Sequence, residues 1–216
     1  MSTTRKITIA VAVAAAVGVA GIAAGVAIGA ASVFGSKQTT RARISVPVQR
    51  IVVDGNAGDI ELMASGRSGV EVTRTTSWLF SKPKVRQYVR AGVLHLESRC
   101  GHGFLCETDF HVRAPVGVAV EVSENAADVT VHGAPGNVSV DTNAGDVRVE
   151  LERAPRQIDA ETNAGDVRIV VPRGNYAVAT HSNVGDETVR GLVRDDRAIR
   201  TIRASTNAGD VTVAGR

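Results

Sequence analysis

Hydrophobic and polar residues alternate along most of this chain, in paired short runs. In VSVDTNAGDVRVEL, from Val138 to Leu151, positions 138, 140 and 142 share one face, as do Val147, Val149 and Leu151. IDAETNAGDVRIVV repeats the scheme with Ile158, Ala160 and Thr162, then Val167, Ile169 and Val171. Ser139, Asp141, Arg148 and Glu150 fall between and suit water. A period of two over five or six residues marks a half-buried β-strand. Each unit therefore predicts a strand, an Asn-Ala-Gly-Asp turn, a second strand and a looser connection such as Glu152–Pro155. Related copies begin at Ile51, Val120, Val178 and Ile202.

The turns set the register: Asn56 with Asp59, Asn125 with Asp128, Asn143 with Asp146, Asn163 with Asp166, Asn183 with Asp186, and Asn207 with Asp210. The last four aspartate intervals are 18, 20, 20 and 24 residues, a solenoid-like step. Asn and Gly tolerate positive φ, and Asp bonds turn backbone. The units either stack as β-solenoid coils or pack as hairpins in a sandwich. Near-identical registers favour stacking, with like residues above one another at roughly 4.8 Å. The stretch 70–115 breaks the pattern and holds the only Trp, both Cys and three of the four Phe. It is expected to cap or interrupt the stack, since an exposed strand edge recruits other chains.

Ahead of the repeats, Ile7–Phe34 runs 28 residues without a charge. About 20 apolar residues span a bilayer as a helix. Arg5 and Lys6 predict a cytoplasmic N-terminus and an extracytoplasmic remainder, a single pass of the cell membrane. A cleaved signal peptide ending near Ala30-Ala31-Ser32 is the rival, but signal cores span only about 7–15 residues. The expected organisation is a cytoplasmic tail (1–6), a transmembrane anchor (7–34), a linker (35–43) and an extracytoplasmic β domain (44–216). Gly21, Gly25 and Gly29 share a helix face through which the chain could form a homodimer.

The net charge of +3 comes from Arg5, Lys6 and Lys37; the other 22 basic residues balance 22 acidic ones. A nucleic-acid binder needs a basic excess, so that class is set aside. Aromatics make up only 3% of the chain, so aliphatic side chains must fill the core. Cys100 and Cys106 enclose a short glycine-containing loop and are expected to pair outside the cytoplasm. A metal site with His102 is the weaker reading, because zinc usually takes four ligands at tighter spacings.

The units at about 20-residue steps, after a single anchor, resemble the "putative adhesin" or toast-rack family of bacterial envelope proteins. The resemblance covers roughly residues 44–216. It implies a stacked, β-helix-like fold outside the membrane and adhesive or envelope-stress roles, with no catalytic residues to carry over. Ala127 stands where Gly is usual, and Glu187 where a β-branched residue is usual.

Stacked coils would align Asp128, Asp146, Asp166, Asp186 and Asp210, and a column of carboxylates can attract Ca²⁺. The nine-residue double-glycine repeat of calcium-binding β-rolls is missing, however. A polysaccharide-acting enzyme could use Asp141, Glu161 and His181 on one outward face. No GxSxG, HExxH or phosphate-loop motif accompanies them, and the five histidines are scattered. The expectation is therefore an all-β stack of two-strand repeats behind one transmembrane helix, without cofactor. It would be a non-enzymatic interaction module for an envelope protein or cell-wall glycan, or else a structural spacer.

Overall fold

The computed structural model describes residues 35–101, 105–133 and 136–216. The anchor, its glycine face, Ala30-Ala31-Ser32 and His102 lie outside them. The described residues form eighteen strands: β1 (Ser36–Ile44), β2 (Arg50–Asp54), β3 (Ile60–Ser65), β4 (Val70–Trp78), β5 (Lys84–Arg90), β6 (Val93–Arg99), β7 (Cys106–Pro115), β8 (Ala119–Ala126), β9 (Val129–Gly133), β10 (Val138–Ala144), β11 (Val147–Leu151), β12 (Gln157–Ala164), β13 (Val167–Val171), β14 (Asn175–Val184), β15 (Glu187–Arg190), β16 (Val193–Arg194), β17 (Thr201–Ala208) and β18 (Val211–Gly215). Among them there is no helix long and apolar enough to cross a membrane.

Each repeat is one coil of a stack. Its first strand joins one sheet and its second, after the turn, joins a facing sheet. Sheet I runs β1-β4-β7-β3-β9-β11-β13-β18-β15, and sheet II runs β16-β14-β17-β12-β10-β8-β2-β6-β5. Coils pair in parallel, like on like: Val138 opposes Ile158, Thr142 opposes Thr162, and Val147 opposes Val167. The sandwich of antiparallel hairpins is thus replaced by a strand-on-strand stack. The alternation reads out as burial. Val138, Val140, Thr142, Val147, Val149 and Leu151 face inward, while Ser139, Asp141 and Arg148 are exposed. Each coil supplies a few aliphatic side chains to a continuous core, each worth about 1.5–3 kcal/mol when buried. Phe110 and Tyr176 are the largest fully buried residues.

The stack departs from chain order twice. The coil β6/β7 lies outside the earlier coil β2/β3, which sits between it and β8/β9. The last coil, β17/β18, inserts between β12/β13 and β14/β15. The stretch 70–115 does close one end: β4 and β5 pair antiparallel to β7 and β6, so the parallel pattern stops there. One correction concerns 35–43, read as linker. Ser36–Ile44 is a strand paired antiparallel to β4 along its whole length. Its alternation of Thr40, Ala42 and Ile44 is weakly apolar, and only the neighbouring strand makes it β structure.

Candidate interaction surfaces of the stack

The turns align into a ridge with two hydrogen-bonded ladders. Within each NAGD turn, glycine is required where coils touch. At Gly165 φ is +144°, and a Cβ there would lie 2.1 Å from the Gly145 carbonyl oxygen. Ala127 is tolerated because it does not share this positive φ. The aspartates do form the expected column, in the spatial order 109, 59, 128, 146, 166, 210, 186. Rather than closing its own turn, each except Asp186, the last of the column, accepts a backbone N–H from the next coil. Oδ1 of Asp128, Asp146, Asp166 and Asp210 each accept at 2.8 Å, from the amides of Asp146, Asp166, Asp210 and Asp186 respectively. Asp59 and Asp109 extend the series more loosely, at 3.4 and 3.2 Å. The side-chain amides of Asn143, Asn163, Asn207 and Asn183 donate along a parallel ladder that starts from Asn125. Backbone amides already occupy one oxygen of each column carboxylate except that of Asp186, and no group of three acidic, His or Cys side chains suited to a metal ion occurs among the described residues.

Cys100 and Cys106 form a disulfide with Cα atoms 6.0 Å apart. It links the end of β6 to the start of β7.

Inside the turns, Thr162, Thr206 and Ser182 donate to the glycine carbonyls of the neighbouring coils. Glu124 occupies the same column, opposite Thr142. It is 5% exposed, fills the space left by Gly55, and has Oε2 buried without a hydrogen-bond partner. Burial, then the nearby Asp54 carboxylate, pushes its carboxyl up to about 8, with Arg99 opposing. Glu187, at the far end, turns outward instead. Its carboxylate accepts the Thr180 hydroxyl at 2.6 Å and the Ser182 amide at 3.0 Å, which hold it below the usual carboxylate range. A charge there caps an edge strand that a valine would leave open.

The outer face of sheet II carries Asp141 beside Glu161, as expected, but His181 is not next in line. Ser205 of the inserted coil separates it from Glu161. Other charges on this face pair off: Arg50 with Glu121, Arg99 with Asp54, and Arg203 with Asp159. On sheet I, Arg148 and Arg168 are neighbours in register, both exposed, and neither has an ion-pair partner among the described residues. They line a shallow cleft of about 160 Å³ together with Asp146, Asp166, Asp210 and Thr212. A larger cleft of about 420 Å³ lies on the same sheet between Arg41, Glu61, Glu71, Thr73, His111 and Arg113, where Glu61 and His111 approach to 2.6 Å.

Sequence reasoning placed Arg148 and Glu161 in water but missed the arginine rung, Asp109 and Glu124. The rung was visible as the repeated Val-Arg after each of two turns. Glu124 was visible as an acid in a threonine column. Asp109 carried no signal, since no NAGD turn precedes it.

The family model described as Toastrack DUF4097 matches residues 116–214. No curated protein matches the chain. Among solved structures, a "putative cell adhesion protein" from Clostridium sporogenes superposes with a TM-score of 0.58 at 10% identity, covering 84% of this chain and 100% of that one. A "putative adhesin" from Bacteroides fragilis reaches 0.37 at 13% identity, over 84% and 98% of the two chains. A "putative lipid binding protein" from Parabacteroides distasonis reaches 0.34 at 11%, over 84% and 96%. The last two superpose too poorly to bear on this chain, and the first speaks to the fold alone.

Proposed function

We propose, from the match of residues 116–214 to the toast-rack family model, that the chain is a non-enzymatic, single-pass membrane protein of the cell envelope. Its extracytoplasmic β stack is an adhesin-like module that holds an anionic cell-wall glycan against sheet I. The observation that carries this reading is the rung of Arg148 and Arg168. Like charges directly opposite in adjacent strands destabilise a sheet. A carboxylate- or phosphate-bearing polymer laid across the coils would offset that repulsion and give bidentate partners to both guanidiniums. One other feature agrees with the placement: the Cys100–Cys106 disulfide suits an oxidising compartment.

The test is binding of the detergent-purified full chain to isolated cell-wall material. R148E/R168E is expected to weaken binding by about tenfold or more, and added salt to weaken the native chain similarly. Equal binding by the double variant would remove the arginine rung as the glycan site, and no binding by the native chain would leave a spacer without specific ligand, a role that the scarcity of exposed aromatics favours.

A further inference from the structure

We propose that the tip formed by Leu79, Phe80 and Leu105 is a membrane-surface contact, with Lys37, Lys82 and Lys84 set against anionic lipid headgroups. The inference rests on the reading of residues 7–34 as an uncleaved anchor.

Three observations converge on this corner of the stack. The first is where the chain enters. The apolar run ends at Phe34, and β1 begins two residues later at Ser36. Ser36 pairs with Trp78, and Trp78 pairs with Cys106. The β domain therefore starts beside the loop that follows β4. On the anchor reading, a tether of so few residues spans at most about 7 Å of extended chain.

The second is apolar exposure. Phe80 is 78% exposed, Leu79 39% and Leu105 37%, although the core of this domain is fully formed without them. They belong together, because the Leu79 amide donates to the Leu105 carbonyl at 3.1 Å. Large apolar side chains clustered at a loop tip signify a contact surface. Beside them Trp78 is half-buried, with the Lys82 ammonium 5.5 Å from its ring centre. An aromatic ring with a lysine at its face suits the headgroup region, where one end is apolar and the other wet.

The third is charge. Residues 72–96 contain no acid, yet carry Arg74, Lys82, Lys84, Arg86 and Arg90. Lys37, Lys82 and Lys84 are exposed. The nearest carboxylate along the paired strands is Glu107, opposite Ser77, and burial raises it above the usual range. Basic residues around an apolar tip are the combination that anionic bilayers attract.

Trp78 is the only tryptophan and reports on the contact directly. The full chain is reconstituted into phosphatidylcholine–phosphatidylglycerol vesicles whose acyl chains are brominated near the headgroup. Its emission is expected to fall by at least about twofold relative to unbrominated vesicles, and F80D and K82E/K84E each to recover most of it. Unchanged emission in vesicles that float with the protein would overturn the contact while leaving the anchor intact. Equal quenching of F80D would also overturn it, since tethering alone would then explain the signal. If alkaline washing strips the chain from the vesicles, the anchor reading fails instead. Quenching of the same chain added to preformed vesicles would then still support the tip, and its absence would refute it.

Discussion

Glu124 shows how a single position can tie this fold to pH. It sits in a column otherwise made of threonine and serine, with Gly55 vacated to hold its carboxyl. The folded state raises its pKa from 4.5 to about 8. A folded-state pKa above the unfolded one means that the native protein holds the proton more tightly. The favourable contribution is therefore complete below 4.5 and is lost as pH rises through about 8. Glu124→Gln keeps the shape and removes the titration. In urea unfolding, the variant is expected to match the native chain at about pH 5 and to exceed it at about pH 9, by on the order of a few kcal/mol. Parallel midpoints across that range would show that Glu124 is ionised in the fold. Glu187 makes the opposite use of a carboxylate, staying in water to accept an edge amide.

The strand-turn-strand coil repeats because its turn solves the same contact each time. Backbone from one coil lies so close to the next that no side chain fits at the glycine, and the aspartate completes the join by accepting the neighbour's N–H. Gly165→Ala meets both a positive φ and the Gly145 carbonyl. It is expected to destabilise the domain by about 2 kcal/mol or more, read as a lower thermal or urea midpoint. Gly117, also at positive φ, has nothing near its missing Cβ, so Gly117→Ala should cost only the backbone strain, about 1 kcal/mol. Equal losses at the two sites would mean that the coil-to-coil approach contributes little.

The coils do not lie in the stack in the order in which they follow one another along the chain. The coil β14/β15 gains its native neighbour only when β17/β18 has entered beside it. In a nearest-neighbour array, a coil without its partner loses the interface that holds it. Deleting residues 195–216 is expected to speed amide exchange across Ala177–Val184 to near the rate of an open chain. Slow exchange there would show that β14 can dock directly on β12. The inserted coil also rearranges the surface: it separates His181 from Glu161, while leaving Arg148 and Arg168 as direct neighbours.

Alternation and turn chemistry are local, and so they were legible in the chain. They specified the β class, the inward faces and the aspartate column, while the closeness of Cys100 and Cys106 in the chain pointed to their pairing. A period of two leaves little freedom once an apolar face must be buried. The order of the coils is non-local, because near-identical units fit one another almost equally well and only the whole set of contacts selects a sequence of stacking. The same holds for Ser36–Ile44, whose weak pattern becomes a strand only beside β4, and for the arginine rung, Glu124 and the apolar tip. Each owes its character to residues distant in the chain that the fold brings to one place.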